Sequence, residues 1–190
     1  HLSLRRQRQM CIRDRYGGVS ISYADGDASY SRGSGDNHSR AMNFYVTEMG
    51  NKGHYLDVVL RFHHIDTNFK MFDENGKKIR GDMHNVGISL SSEYGRKKMI
   101  DDKGWYIEPQ GQLTIGYLGG DNYTTSNGIA VRQGGIRSAL GRIGFNLGKD
   151  IDEKTNIYLK ANLLHEFGGG YHAAMADNSG SRIKIDRSFK

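Results

Sequence analysis

Few of the residues that could carry chemistry in this sequence have the spacing that chemistry requires. His165 and Glu166, with His172, suggest a metal cluster, but the metal-binding HExxH motif needs two histidines four residues apart on a helix. His165 and Glu166 are consecutive, so in a strand their side chains point to opposite faces. His63 and His64 are split in the same way. The sequence therefore predicts no metal site at either place.

Three other patterns fail as chemical sites for similar reasons. Asp73–Lys78 resembles a calcium loop but lacks the alternating ligands and the closing glutamate, so a tight turn is predicted there. The glycines of Gly134–Gly144 precede no helix, which argues against a phosphate cradle. Glu108 and Glu166 would form an acid pair only by coincidence of register. We expect a protein that is not an enzyme, with no catalytic residue and no cofactor.

The side chains above must be positioned by strands, and the clearest predicted strand is Gly104–Tyr117. Its odd positions are mostly apolar, with aromatics at both ends: Trp105, Ile107, Pro109, Gly111, Leu113, Ile115 and Tyr117. Its even positions are mostly polar: Tyr106, Glu108, Gln110, Gln112, Thr114 and Gly116. A two-residue period predicts a strand, and a transmembrane strand needs about 9–11 residues with aromatics at the two water interfaces. Pro109 would remove a ladder hydrogen bond, and a bulge could accommodate it.

Six further segments alternate in the same way, which makes seven predicted strands. They are Gly17–Tyr23, Arg40–Met49, Tyr55–Ile65, His84–Tyr94, Ser138–Gly148 and Asn156–Phe167. The predicted long connections are Asp25–Ser39, Asp66–Met83, Leu118–Arg137 and Gly168–Gly180. A brief pairing is predicted at Gly128–Val131, and a further segment at Arg182–Phe189. The short ones are Gly50–His54, Gly95–Lys103 and Lys149–Thr155. Long and short connections alternate, so all short ones lie on one side of a meander, as in outer-membrane barrels.

The composition suits a barrel with an apolar outside and a wet inside. Only 36% of residues are hydrophobic, 26 are glycine, and no run of 18 apolar residues could form a membrane helix. Charged residues occupy polar-face positions: Asp57, Arg61, Glu93, Glu108, Arg142, Lys160 and Glu166. On a lipid face an arginine or lysine would cost roughly 2–4 kcal/mol at mid-membrane. We expect these side chains to face water in a lumen.

The first fifteen residues do not fit the pattern of the rest. Residues 1–15 hold five arginines, one acidic residue and the only cysteine, Cys11. They resemble a translated sequencing adapter; a disordered basic tail and a piece of targeting sequence are the alternatives. We therefore predict a barrel domain over residues 16–190 and do not take the basic pI of 9.4 as a sign of a nucleic-acid partner. Because single-chain barrels have even strand numbers, and the first residue is His1, we expect an incomplete fragment.

Several segments resemble the C-terminal translocator β-barrel of autotransporters, the type V secretion proteins of Gram-negative bacteria. They are Ser34–Phe62, Gly81–Lys97, Gly104–Gln133, Gly141–Lys149 and Ile157–Gly169. The GWYIEPQ run from Gly104, followed by a long strand and TSNG, is the most specific part. The resemblance implies an all-β, antiparallel, up-and-down transmembrane barrel, of which this chain would be an incomplete part, since the family's barrel has twelve strands.

The same resemblance implies a function in transport. An N-terminal passenger would cross the outer membrane through the polar lumen, and the implied partners are membrane lipid, the covalently linked passenger and the outer-membrane barrel assembly machinery. We expect these residues to line the lumen: Glu108, Gln110, Gln112, Arg142, Asn146, Lys160, Asn162 and Glu166. A porin or adhesion barrel without a passenger, and a soluble β-sandwich binding module, are the alternatives.

Overall fold

The structure is a computed structural model that describes residues 14–50, 52–152, 155–177 and 179–188. Within these ranges nearly all regular structure is β-strand, and no helix of the described chain has the length and apolar character to cross a membrane. The strands are β1 (Asp14–Tyr30), β2 (Gly33–Met49), β3 (His54–Phe72), β4 (Lys78–Arg96), β5 (Lys98–Met99), β6 (Trp105–Leu118), β7 (Asn122–Thr124), β8 (Ala130–Gln133), β9 (Ile136–Asp150), β10 (Asn156–Glu166), β11 (Gly170–Ala176) and β12 (Arg182–Ser188). Residues 1–13 of the segment predicted to be foreign lie outside the described residues.

The larger sheet is an antiparallel meander. Its order is β1-β2-β3-β4-β6-β9-β10, with the two-residue β5 paired to the start of β6. These seven long strands correspond to the seven predicted strands, so the up-and-down prediction is confirmed. Within the described residues β1 and β10 are the two ends of this order and are not paired with each other.

Two predicted long connections are wrong, because the strands continue through them. The Asp25–Ser39 segment is a hairpin in which β1 reaches Tyr30, β2 starts at Gly33, and the register holds from Asp25 with His38 to Tyr30 with Gly33. Glycine, serine and aspartate dominate this segment, so it shows no apolar period although its backbone is paired on both sides of the turn at residues 31–32. Asp66–Met83 likewise belongs mostly to β3 and β4.

The tight turn predicted at Asp73–Lys78 is confirmed. The Asp73 Oδ1 atom accepts hydrogen bonds from the backbone N–H groups of Asn75 and Lys77, at 2.9 and 2.7 Å. Gly76 has a φ of 76°, a left-handed conformation that favours glycine. The turn is therefore stabilised by its own side chain and by a glycine at the position that needs one.

A second, four-stranded sheet has the order β12-β11-β8-β7. The pairing predicted near Gly128–Val131 is confirmed as the β7–β8 hairpin. The polar loop predicted at Gly168–Gly180 is wrong in part, since it contains β11, which pairs with β8 and β12. This sheet contacts β4 through the hydrogen bond from Ser126 N to Arg80 O, at 2.9 Å. It therefore lies at the end of the larger sheet where the long connections were predicted.

Pro109 lies where the neighbouring strand is interrupted. Pairing of β4 with β6 runs from Gly95–Gln110 onward, and β5 resumes it at Lys98–Ile107. Between these pairs, Lys97 donates its backbone N–H to Gly53 O at 2.8 Å. The missing proline donor therefore falls at a break in the ladder. Two residues lie on each strand within the break, 96–97 and 108–109, so the register is kept and the expected bulge is absent.

The two faces of the larger sheet differ sharply in their middle portion. We call the face that carries Gln112 and Arg142 the front face, and the opposite one the back face. The back-face residues Leu113, Ile143 and Leu159 are 51%, 64% and 68% exposed. A soluble β-sandwich would bury such side chains, so that alternative is wrong. An apolar surface of this extent suits contact with lipid.

Aromatic residues flank this apolar part of the back face at both ends. Tyr94 and Trp105 lie at the end with the short turns, and Tyr23, Tyr117 and Phe167 lie at the other. We call the back-face region between these two rows the apolar band. Aromatic girdles at the two water interfaces are typical of outer-membrane barrels.

On the front face, several large rings lie over a glycine of the neighbouring strand. Tyr106 is cross-strand from Gly148, and a Cβ atom at that glycine would be 2.5 Å from the tyrosine ring. Tyr55 lies over Gly95 in the same way, with a separation of 2.4 Å. The glycines are therefore required by the close approach of the rings.

Beyond the apolar band the polarity of the faces is inverted. We call this part of β1–β4, residues 24–39 and 65–85, the hairpin extension. Its back face is polar and carries Asp25, His38, Asp66 and His84, each the Cα partner of the next. Its front face is apolar and carries Phe69, Met71, Ile79 and Met83. The Phe69 ring packs edge-on against the ring of Tyr123 in β7, with the two centroids 6.0 Å apart. The extension therefore has the pattern expected of strands whose back face meets water and whose front face packs against other residues.

Candidate functional site

A row of polar residues crosses the middle of the front face. Glu93 of β4, Gln112 of β6 and Arg142 of β9 are consecutive Cα partners, so their side chains lie on the same face. Asp57 of β3 continues the row, paired with Glu93. Its carboxylate accepts a hydrogen bond from the Thr47 hydroxyl of β2. One polar residue from each of five adjacent strands therefore lies at a single level of the sheet.

Arg142 is the centre of this row. Its Nη2 atom lies 2.6 Å from Glu93 Oε2, its Nε donates to Gln112 Oε1 at 2.8 Å, and its Nη1 donates to Asn162 Oδ1 at 3.2 Å. The side chains of Arg142 and Glu93 are only 17% and 19% exposed. The guanidinium thus uses three of its nitrogen atoms to hold side chains from three other strands.

A second cluster lies nearer the short turns. Gln110 Nε2 donates to Glu108 Oε1 at 2.6 Å, and Asn146 Nδ2 donates to the same oxygen at 3.2 Å. Lys160 is exposed and is the β10 partner of Asn146. The structure therefore places Glu108, Gln110 and Asn146 together, with Lys160 beside them on the outermost strand of the meander.

Glu166 lies apart from both clusters, at the end of β10. Its Oε2 accepts the Ser138 hydroxyl at 2.7 Å, and its Oε1 accepts backbone N–H groups of Ala139 at 2.6 Å and Gly168 at 3.2 Å. This carboxylate links the end of β10 to the start of β9. Glu166 therefore lies at the rim of the front face. It is not close to Glu108, which lies nearer the short turns.

Two residues that the sequence prediction did not select also belong to the front-face network. The Tyr55 hydroxyl donates to Glu93 Oε1 at 2.9 Å, and the Ser91 hydroxyl accepts a bond from Gln112 Nε2 at 2.7 Å. The alternation placed both on the polar face. Their contacts depend on the β3–β4–β6 register, which the sequence alone does not supply.

The histidine–glutamate pattern weighed in the sequence does not come together as a site. The His165 ring stacks edge-on against Phe167 with centroids 4.7 Å apart. Nδ1 of His172, on β11 of the other sheet, lies 2.6 Å from Asp186 Oδ1. These residues therefore have separate neighbours.

The front-face arrangement suits passage of a polar chain better than bond chemistry. Its carboxylates and its arginine already have partners of opposite charge or hydrogen-bonding capacity, so they hold one another in place across the sheet. The opposite side chains are exposed and apolar. A sheet with these two faces can separate lipid from an aqueous path.

Comparison with known proteins gives one consistent result. The sequence model of a protein family described as "Autotransporter beta-domain" matches residues 13–188. Pertactin autotransporter of Bordetella parapertussis is 35% identical over 159 residues, which is 80% of this chain. The probable autotransporter YcgV of Escherichia coli K12 is 30% identical over 159 residues, or 81% of this chain.

A solved structure supports the fold. The crystal structure of the beta domain of the Bordetella autotransporter BrkA has a TM-score of 0.63, with 22% identity, and the match covers 92% of this chain and 83% of that one. The chain spans 17% of the length of both the pertactin and the YcgV relatives.

Proposed function

Because the chain belongs to the autotransporter beta-domain family, the outer-membrane β-barrels of Gram-negative bacteria, we propose that its front face lines the path by which a passenger reaches the cell surface. The passenger would be an N-terminal segment of the same polypeptide. The observation that carries this proposal is the polar row through Asp57, Glu93, Gln112 and Arg142, backed by exposed apolar residues. This row would give an unfolded chain hydrogen-bonding groups in place of hydrocarbon.

The lumen-lining residues of this proposal follow from the clusters described above. Arg142, Gln112 and Asn162 form the middle of the lining, and Glu108, Gln110, Asn146 and Lys160 form the part nearer the short turns. Glu166 contributes at the rim. We assign these residues no catalytic role, because a translocation path needs only hydration and a fixed electrostatic lining.

We further propose two partners besides the passenger. The apolar band on the back face would contact lipid acyl chains, with its aromatic rows at the two interfaces. The outer-membrane barrel assembly machinery would insert the chain, since unpaired strand edges in lipid cost several kcal/mol per backbone group. Residues 16–190 would belong to one barrel domain.

Site-specific cross-linking tests the path. Cys11 is first replaced by serine. Single cysteines are then placed at two adjacent positions that lie on opposite faces of the sheet, Gln112→Cys on the front and Leu113→Cys on the back. A passenger held in transit and carrying one cysteine should form a disulfide with the first variant and not the second. Leu164→Cys, at the β10 partner of Arg142, provides a second front-face position and leaves the hydrogen-bonding side chains of the Arg142 network in place.

Two results would contradict the proposal. One is cross-linking at Leu113→Cys with none at either front-face position. The other is equal labelling of all three variants by a membrane-impermeant maleimide, since only front-face thiols should meet water. A porin without a passenger would show the expected labelling but no cross-link in the native polypeptide.

A further inference from the structure

The back face of the hairpin extension carries a row in which carboxylates and imidazoles alternate. Asp25, His38, Asp66 and His84 are consecutive Cα partners on β1, β2, β3 and β4, so all four side chains lie at one level. Asp121 extends the row beyond β4, because its Oδ2 accepts the backbone N–H of His84 at 2.7 Å. The row lies outside the apolar band, and passage along the front face does not use it.

Within this row, two imidazoles converge on one carboxylate oxygen. His64 is two residues before Asp66 on β3 and therefore shares its face. His64 Nε2 lies 2.9 Å from Asp66 Oδ1, and His84 Nδ1 lies 2.7 Å from the same oxygen. The three candidate ligand atoms all lie within 4.8 Å of one another. Residues from two strands thus present two nitrogens and one oxygen to a single point.

We propose that His64, Asp66 and His84 bind a divalent transition-metal ion of the Zn²⁺ class. Imidazole nitrogen and carboxylate oxygen coordinate Zn²⁺ at roughly 2.0–2.2 Å, and tetrahedral geometry then separates neighbouring ligand atoms by roughly 3.3–3.5 Å. The present separations of 2.7 and 2.9 Å need to open by roughly 0.4–0.8 Å, which side-chain rotation can supply. Three protein ligands leave a fourth position for water.

The surroundings favour a transition metal over Ca²⁺ or Mg²⁺. Two of the three ligands are imidazoles, which suit Zn²⁺, Cu²⁺ and Ni²⁺, whereas the alkaline-earth ions require oxygen ligands. Asp82 and Asp121 lie close enough to His84 to act on it electrostatically. Arg40, the β2 partner of His64, opposes cation binding, so the site should be of moderate affinity.

The backbone holds the ligands in place while leaving them accessible. Asp66 and His84 are paired in the continuous β3–β4 ladder, and the bond to Asp121 fixes the His84 backbone from the other side. The side chains of Asp66, His64 and His84 are 22%, 44% and 64% exposed, so an ion can enter from water. A bound ion would join β3 to β4 through side chains and stabilise the hairpin extension.

The test uses the protein purified in detergent micelles without a polyhistidine tag. Isothermal titration with ZnCl₂ should show binding that His64→Gln, Asp66→Asn and His84→Gln each weaken by at least about tenfold, the lower range for loss of even an outer-shell partner. Titration with Co²⁺ should give visible absorption bands of a four-coordinate ion, and each substitution should reduce them. Far-UV circular dichroism of each variant checks that it has folded.

The matched control is His172→Gln. His172 forms the same kind of exposed contact with Asp186, at 2.6 Å, but only as a pair. Its substitution should leave Zn²⁺ affinity and the Co²⁺ spectrum unchanged. Equal Zn²⁺ affinity in the wild type and the three folded site variants would overturn the proposal, as would the absence of Zn²⁺ binding to the wild type or a loss of binding in His172→Gln alone.

Discussion

The Arg142 guanidinium reaches across an entire intervening strand to Glu93. Its Nη2 atom lies 2.6 Å from Glu93 Oε2, although β6 separates the β9 and β4 strands that carry them. Gln112 of β6 lies between them and accepts a second bond from the same arginine, at 2.8 Å. This contact therefore joins three strands by side chains as well as by their backbone ladders.

Removing one member of this pair should destabilise the folded barrel. We expect Glu93→Gln to cost about 1–2 kcal/mol, near the lower end of the range for charged hydrogen bonds, because the glutamine oxygen can still accept a hydrogen bond from Arg142. The free energy of unfolding in urea, in detergent or lipid, measures the effect. Arg142→Gln combined with Glu93→Gln should cost less than the sum of the single substitutions.

Lys160→Gln is the control for charge removal alone. Lys160 is exposed on β10, so we expect a change within about 0.5 kcal/mol. A cost for Lys160→Gln as large as that for Glu93→Gln would show that the Arg142–Glu93 contact has no special weight.

A side chain at Gly148 should be poorly tolerated. A Cβ atom there would lie 2.5 Å from the Tyr106 ring, and Tyr106 is 4% exposed, so the ring has little room to move. We expect Gly148→Val to cost about 1–3 kcal/mol, as overpacking does elsewhere. The fraction of refolded barrel after dilution from urea gives the measurement.

Gly111→Ala provides the comparison on the neighbouring strand. No atom lies within 4 Å of a Cβ built at Gly111. We expect near-normal refolding, and equal losses in Gly111→Ala and Gly148→Val would contradict the steric explanation.

A charge on the back face should interfere with membrane insertion far more than one on the front face. Leu163 and Leu164 are adjacent on β10, are 72% and 61% exposed, and point to opposite faces. Leu163→Glu should cost up to about 2 kcal/mol of folded-state stability in lipid, somewhat below the range for arginine. Leu164→Glu, beside Arg142, should fold like the wild type.

The comparison of these two variants in liposomes decides which face meets lipid. The reverse order of stability, with Leu164→Glu the weaker, would exchange the assignments of the two faces.

The turn between β11 and β12 should lose order in acid. Outside the apolar band, Asp177 accepts hydrogen bonds from the Ser179 hydroxyl and from backbone N–H groups of Ser179 and Ser181, and these bonds hold its pKa below the usual value. A lowered folded-state pKa means that the stabilisation is complete above the unfolded value of about 3.9 and is lost as the pH falls through the folded value.

Amide hydrogen exchange at Ser181 measures this effect. Protection, after correction for the intrinsic exchange rate, should be constant between pH 5 and 7 and decline below about pH 4. Asp177→Asn should give protection that no longer depends on pH in this range. A decline of equal size in both proteins would assign the change to another group.

The sequence predicted the strands wherever two solvents differ across the sheet. Alternation such as Gln112 with Leu113 reports water on one side and hydrocarbon on the other, so the seven long strands and the front-face residues could be identified. In the hairpin extension the polarity of the two faces is inverted. The segment that contains Asp25 and His38 is also rich in glycine and serine, and it was therefore predicted to be a loop. Strand pairing there is decided by the backbone ladder, to which side-chain polarity is a poor guide.

Register explains the remaining differences. Whether Asp66 meets His84 depends on how many residues the intervening turn at residues 73–77 removes from the ladder, and the sequence does not state this number. The same is true of Arg142 and Glu93, which are 49 positions apart. Residue types could be predicted at these sites, but their neighbours could not.

The inversion of polarity along β3 fixes how deep the barrel sits. Sinking by a few ångströms would bring Asp66 and its neighbours into hydrocarbon, and rising would lift Phe62 and Leu60 out of it. Both displacements are unfavourable, so the polarity pattern along the strands sets their depth in the bilayer. The vertical position of the protein in its bilayer is thus encoded in the side chains of its strands.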